Sequence, residues 1–382
     1  LESEQAFAER FYRSLAVMLS RRLRITSMLV PPLIVENVPQ LRRIHAGRVG
    51  TLVEEELPET IIAAVDQFKK ALTEANRKLT EEAAPRDEAE ASVYGACRAL
   101  HDELAAHVER EQEKAGSIGT YVLRETFPFF MRSSLIERCY EKPRGYAGDF
   151  RTVSMIYENR PSGDGVLGLV IDRWALSEPV CQAARHRLGH MNRVIRDLAE
   201  EWTASEPMPL ASLASGCALE LVELCKDGDA PDFHATCIDV DPEAVRFAKS
   251  LVDQRGISSH FSFVLENPMR LCGSRASVQL APQHLIYSLS LANYLQDDLA
   301  LRLIDWVYGH LLPGGSVVLG NLHPENPNRV FMEQIVDWEV RHRTEEELRQ
   351  LFLRSRFKEG GLEVVTDDTG AQLFVRCRKP HG

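Results

Sequence analysis

The sequence predicts an all-helical first half followed by an α/β second half, in which a parallel, doubly wound sheet ends in an antiparallel hairpin. Three observations carry this prediction. Apolar residues recur at helical spacing through the first half, short β-type runs alternate with helices after Pro207-Met-Pro209, and the last stretch reads as two strands around a tight turn. Alternation of strand and helix implies parallel strands, because each parallel pairing needs a crossover connection.

The helical half contains three segments, Ala6 to Leu23, Glu59 to Ala83 and Ala89 to Gln112. In the second, Ile61, Ile62, Val65, Phe68, Leu72 and Ala75 form one stripe, with Lys69, Lys70 and Glu74 opposite. Val30-Pro-Pro-Leu33 and Ala84-Pro85-Arg86-Asp87 break the pattern. Such helices form a bundle or a cap, and we expect residues 1–200 to make a helical domain lying as a lid over the strand ends of residues 201–382. In the second half the expected strands are Leu210–Ala214, Phe233–Val240, Phe261–Leu265, His284–Ser288 and Ser316–Gly320. Helices are expected to begin near Ala218, Pro242 and Asp298, and the hairpin is Leu362–Thr366, Asp367–Gly370 and Gln372–Arg378.

Composition narrows the function classes. With 382 residues, 44% hydrophobic and 26% charged, the chain is of a size and make-up for two globular domains. A net charge of −11 argues against a general nucleic-acid binder, and the cationic run Arg21, Arg22, Arg24 reads as a solvated helix face. No apolar stretch is long enough to span a membrane, and the acidic start does not suit a signal peptide. The eight cysteines are scattered without a C-x-x-C pair, which fits reduced thiols in a cytoplasmic protein and no metal site.

The strand ends carry the chemistry. A strand runs into a turn at Ala214-Ser215-Gly216 and a helix follows at once, and ligands of doubly wound sheets settle at such turns. Asp239 ends the next strand, 23 residues beyond Gly216, where an acidic side chain binds the two hydroxyls of an adenosine ribose. Val240 follows it; Asp241 reads as a helix N-cap before Pro242. Asn267-Pro268 follows the third strand, where the adenine is expected. Ser288 and Asn293 follow the fourth, beside the expected sulfonium. A dinucleotide would call for more glycine and a phosphate cradle; the sparse glycine favours S-adenosyl-L-methionine, which has no phosphate.

The chain resembles a bacterial family of class I S-adenosylmethionine-dependent methyltransferases, of Rossmann-like fold, associated with making 3-hydroxypalmitic acid methyl ester, an extracellular signal. The matching stretches are Arg138-Cys-Tyr-Glu-Lys-Pro143-Arg144-Gly145-Tyr146-Ala-Gly148-Asp149, Asn321-Leu-His323-Pro324-Glu-Asn326-Pro327-Asn-Arg329 and Asp337-Trp338-Glu-Val-Arg-His342-Arg343-Thr344. The resemblance spans Ser117 to the end. It departs at Ala214–Ala218, where cysteine and proline around the glycine would fit the family better.

The resemblance implies carboxyl O-methylation of a small or lipid-like acid. Methyl transfer is an in-line displacement, and an ionised carboxylate acceptor needs positioning but no general base. The loop holding Arg144, Tyr146 and Asp149 suits this, with Asp149 expected at the cofactor and Arg144 and Tyr146 at the reaction: an arginine fork can grip the carboxylate of acceptor or cofactor. His323 serves as a donor or base near the fifth strand, or as a loop anchor through Asn326 and Arg329. Tyr294, Asn321, Arg329 and Trp338 are the expected acceptor contacts. Arg185, His186 and Arg187 read as a solvated helix face, and Thr344 with Glu347 as a capping box. Competing readings are methylation of a hydroxyl, amine or carbon in a natural product or peptide, a cofactor-binding regulator without turnover, and a nicotinamide dehydrogenase.

Overall fold

A computed structural model describes residues 57–81, 86–226, 228–273, 278–358 and 361–381. The expected helix Ala6 to Leu23, the break at residues 30–33 and the arginine run at residues 21–24 lie outside these. The chain divides into two compact units. Of the described residues, one takes those up to Thr152 with Arg160–Leu176 and Val330–Trp338; the other takes Val153–Asn159 and those described within Ser177–Arg329 and from Glu339 onward.

The first unit is helical. Helices α1 (Glu59–Thr80), α2 (Arg86–Arg110), α3 (Ala115–Phe130), α4 (Ser134–Glu141) and α6 (Gly165–Ser177) build it, and α5 (Phe150–Glu158) begins in it. The buried stripe of α1 is Ile61, Val65, Phe68, Leu72, Ala75 and Leu79. Ile62, expected in that stripe, is exposed, because a helical step of one residue turns it about 100° away from the buried row. The core is aromatic: Phe130 sits with its ring centre 5.1 Å from Phe68 and 5.3 Å from Phe331, and Trp174 stacks on it at 6.1 Å. Phe331 arrives from the short segment Val330–Trp338, far along the chain.

The second unit is a seven-stranded sheet in the order β3-β2-β1-β4-β5-β7-β6. Its strands are β1 (Met208–Leu213), β2 (Phe233–Asp239), β3 (Phe261–Leu265), β4 (Gln283–Ser288), β5 (Leu311–Leu322), β6 (Glu363–Thr366) and β7 (Gln372–Arg378). The first five run parallel, and β7 inserts antiparallel between β5 and β6. This is the Rossmann-like sheet with a terminal hairpin that the alternation and the final turn predict.

Alternate residues of each strand face opposite layers. Leu210, Ala235, Leu285, Tyr287 and Phe374 pack under α7 (Pro179–Glu201), α8 (Leu219–Leu224) and α9 (Pro242–Arg255). Ala211, Ile238, Ile286, Val317 and Val375 pack under α11 (Asp297–His310) and α13 (Glu345–Arg354). Two short helices, α10 (Pro268–Leu271) and α12 (Arg329–Gln334), complete the described helices.

Several strand ends differ from expectation: β1 starts at Met208, β2 ends at Asp239, β4 starts at Gln283, β5 ends at Leu322 and β6 starts at Glu363, and two further ends have a local cause. β1 stops at Leu213 because Ala214 takes a left-handed backbone, which ends the ladder and starts the turn. β5 begins at Leu311 instead of Ser316: Pro313-Gly314-Gly315 is absorbed as an irregularity between the pairs Gln283–Leu311 and Leu285–Ser316. Gly320 allows the close passage of the loop after β4, since a Cβ there would lie 2.4 Å from the Leu289 carbonyl oxygen.

Candidate active site

The parallel strands of the sheet unit all deliver their carboxyl ends to one edge, and the turn after β1 shapes it. Ala214, Gly216 and Ala218 all have positive φ, at 54°, 55° and 49°. Two alanines thus adopt a backbone that ordinarily selects glycine, at about 1–2 kcal/mol each. This is why one glycine suffices between Ala214 and Ala218. The Ser215 N–H donates to the Ile238 carbonyl (3.1 Å), which ties the turn to the end of β2.

Asp239 completes that tie. One carboxylate oxygen accepts the Gly216 N–H at 2.7 Å and the other accepts the Asp241 N–H at 2.9 Å. The group is buried, and burial raises its pKa above the usual carboxylate range, the two amide hydrogen bonds opposing the shift. Asp241 caps α9, accepting the Glu243 N–H at 2.8 Å with Pro242 in the first turn, as the sequence predicts. Beside Asp239, Val240 and Leu265 are 53% and 55% exposed, an apolar pair at the ends of β2 and β3. A carboxylate flanked by bare apolar side chains fits an adenosine: acceptors for the sugar, apolar surface for the base.

The other strand ends are held by buried polar contacts. Asn267 accepts the Met269 N–H at 2.8 Å as the cap of α10, with Pro268 buried behind it. The Ser288 hydroxyl donates to the Leu213 carbonyl at 2.7 Å, joining β4 to β1. Asn293 accepts the Leu322 N–H at 2.8 Å, and its carbonyl accepts the Arg341 N–H at 2.7 Å. Tyr294 beside it is exposed. Asn321 is buried and accepts from Arg343, which also donates to the Ala292 and Leu295 carbonyls and to Asp297. Arg343 is 1% exposed, so it organises the loops around the strand ends from within. The His323 ring accepts the Glu325 N–H on Nδ1 at 3.2 Å, while its backbone N–H donates to Ala371. Arg329 is exposed at the start of α12.

Four predicted site residues lie in the helical unit. Asp149 is fully buried: it accepts two 2.7 Å hydrogen bonds from Arg138 and caps α5 through the Arg151 and Thr152 N–H groups. The Arg144 guanidinium lies over the Phe150 ring at 5.6 Å, and Tyr146 is exposed. The Trp338 N–H donates to the Met332 carbonyl at 2.7 Å. The structure thus groups Gly216, Asp239 and Asp241 at one strand end, and Asn293, Asn321 and Arg343 at another.

Sequence reasoning passed over a buried polar cluster behind the first turn. Tyr287 donates to Glu220 at 2.8 Å, and burial raises the pKa of both groups. Arg187, expected on a solvated face, is buried and donates to Gln372 at 2.8 Å through Nη2. The signal was present: Ala183, Ala184, Arg187, Met191, Val194 and Ile195 share the buried side of α7. His186 does face outward, 3.1 Å from Asp367, and Thr344 with Glu347 forms the expected capping box.

Among the described residues, no helix is long and apolar enough to cross a membrane, and no group of three or more His, Cys, Asp or Glu side chains is placed to hold a metal.

Comparison with known proteins places these features in a family. Residues 144–367, more than half of the chain, match the family described as "Putative methyltransferase". No curated protein matches the chain. Among solved structures it is similar to a possible exported protein from Bordetella parapertussis, at 17% identity over 85% of this chain and 100% of that one, with a TM-score of 0.49. It is also similar to the N-methyltransferase NodS from Bradyrhizobium japonicum WM9 in complex with S-adenosyl-L-homocysteine, at 20% identity over 55% and 92% of the two chains (TM-score 0.37). A third is magnesium protoporphyrin IX methyltransferase from Synechocystis PCC 6803, at 8% identity over 52% and 83% (TM-score 0.37). The scores are low, and these three likenesses carry no functional argument. The family match and the strand-end geometry do: the chain belongs to this methyltransferase family and is an S-adenosylmethionine-dependent enzyme of Rossmann-like fold.

Proposed function

We propose that this enzyme methylates the carboxyl group of a small or lipid-like acid of the 3-hydroxy fatty acid type. The observation that carries the reading is the state of His323. Its Nδ1 accepts the Glu325 N–H, which puts the ring proton on Nε2 and makes that atom a donor. A donor positions a carboxylate; a hydroxyl or amine acceptor would need a free acceptor nitrogen as base. The resemblance to the ester-forming family supports the same choice.

In this reading Ala214, Ser215 and Gly216 receive the amino-acid end of the cofactor and Asp239 the ribose. Val240, Asn267 and Pro268 border the adenine, and Ser288 and Asn293 back the reacting centre. The bound cofactor supplies an electrophilic methyl on a sulfonium. The chain's own residues align the acceptor and keep water away. On the sheet unit we assign His323, Tyr294 and Arg329 to the acceptor, with buried Asn321 holding the loop behind them; on the helical unit we assign Arg144, Tyr146 and Trp338 to the acceptor. Asp149 supports the Arg144 loop through its tie to Arg138.

We place the enzyme in the cytoplasm, with a small-molecule partner and no nucleic acid. No disulfide joins any of its eight cysteines and the chain is acidic, which supports both statements. The test is incubation of the full chain with methyl-labelled S-adenosylmethionine and 3-hydroxypalmitate, followed by mild alkali. Label released by alkali is the expected ester. Alkali-stable label, or label only with amine or hydroxyl acceptors, would overturn the carboxyl reading.

A further inference from the structure

The loop 143–148 is the stretch of the helical unit that the resemblance singles out, and both of its ends are tied down. At the far end, Asp149 is locked to Arg138 of α4. At the near end stands Lys142, the residue closing α4, in the left-handed backbone region (φ 48°, ψ 58°). Its ammonium donates to the Asp337 carboxylate at 2.5 Å and also to the Asp337 backbone carbonyl, across 195 residues of sequence.

Asp337 is itself left-handed, at φ 51°. The pair is mostly buried, with side chains 19% and 9% exposed. Two non-glycine residues in a disfavoured backbone, joined by a mostly buried ion pair, carry a cost in strain and desolvation. Glycine at position 142 would close α4 without strain. What the pair achieves is registry: Arg144 begins two residues after Lys142, and Trp338 follows Asp337 directly. The Gly145 N–H, donating to the Lys142 carbonyl at 2.8 Å, transmits the position of Lys142 into the loop.

We propose that Lys142 and Asp337 form a positioning latch that sets the Arg144–Tyr146 loop against Trp338 and thereby governs recognition of the acceptor, but not of the cofactor. This rests on the reading that Arg144, Tyr146 and Trp338 meet the acceptor.

The test uses the full chain with Lys142→Ala, Lys142→Gly and Asp337→Gly. Hydrogen exchange of residues 143–148, which needs no ligand, should speed up about tenfold in each variant as the loop loses its tie. The KM for 3-hydroxypalmitate should rise about tenfold, while kcat changes much less, as for a misplaced binding group. Calorimetric affinity for S-adenosylhomocysteine should stay unchanged. Lys142→Gly relieves the backbone strain that Lys142→Ala retains, so it should be the more heat-stable of the two yet show the same rise in KM.

Unchanged exchange would remove the latch, and faster exchange with unchanged KM would remove its link to the acceptor. Recovery of KM in the glycine variant would mean that the pair serves stability alone. Should the wild-type chain convert no 3-hydroxypalmitate, the functional reading fails by itself, and the exchange data still decide whether the latch exists.

Discussion

Replacing Asp239 by asparagine exchanges one oxygen for an NH2 group and leaves the shape of the strand end nearly untouched. The carboxylate accepts the Gly216 and Asp241 N–H groups at 2.7 and 2.9 Å, one on each oxygen, and in the proposed reading its remaining lone pairs meet the ribose hydroxyls. Asparagine has a single acceptor oxygen, so its amide nitrogen must face one of those donors. A hydrogen bond to a charged acceptor contributes about 1.5–3 kcal/mol. Losing the charged grip on the sugar and loosening the turn together should cost about 3 kcal/mol, or roughly a hundredfold in Kd.

Stability should respond differently. Burial raises the folded pKa of Asp239 above its unfolded value, so the folded chain binds this proton more readily than the unfolded one. The ionised carboxylate therefore subtracts from stability above its folded pKa, and that cost disappears as pH falls below the unfolded value. Asparagine removes the cost while leaving one N–H unsatisfied, so the two effects offset and Tm should move little. Cofactor affinity of the wild type should fall as pH drops through the raised pKa, because a proton then occupies an acceptor site. The asparagine variant should lack that dependence. Titration calorimetry with S-adenosylhomocysteine measures both. A Kd within about threefold of wild type, under about 0.7 kcal/mol, would refute the assignment of Asp239 to the ribose.

Two further substitutions probe the buried supports of the site. Arg343→Met removes the donor that the Ala292 and Leu295 carbonyls and Asn321 share, at about 3 kcal/mol. Calorimetric unfolding should show a Tm lower by about 6–12 °C, and a fall below about 2 °C would mean that the arginine is dispensable. Tyr287→Phe removes the hydroxyl that donates to buried Glu220 and should cost about 1–3 kcal/mol in urea unfolding. A variant as stable as wild type would show that Glu220 needs no such partner.

The architecture was legible because its signals are local. The expected runs Phe233–Val240, Phe261–Leu265 and Gln372–Arg378 appear as strands, the first ending one residue early at Asp239, since β-forming residues and the turn residues that bound them act within a few residues of one another. The caps at Asp241 and Thr344 were legible for the same reason. The longer β5 was not: its Pro313-Gly314-Gly315 reads as a turn, and only pairing with β4 shows that the ladder continues past it.

The sequence by itself determined the doubly wound sheet, the strand-end turn at Gly216 and the acidic residue that follows at Asp239, because each depends on spacing and backbone preference along one stretch of chain. Only the tertiary structure decided that Arg187 lies buried against Gln372, that Tyr287 meets Glu220, and that Lys142 finds Asp337. These contacts join residues 185, 67 and 195 positions apart. Burial of a charge becomes favourable only when a distant partner arrives with matching geometry, and no local pattern encodes that arrival.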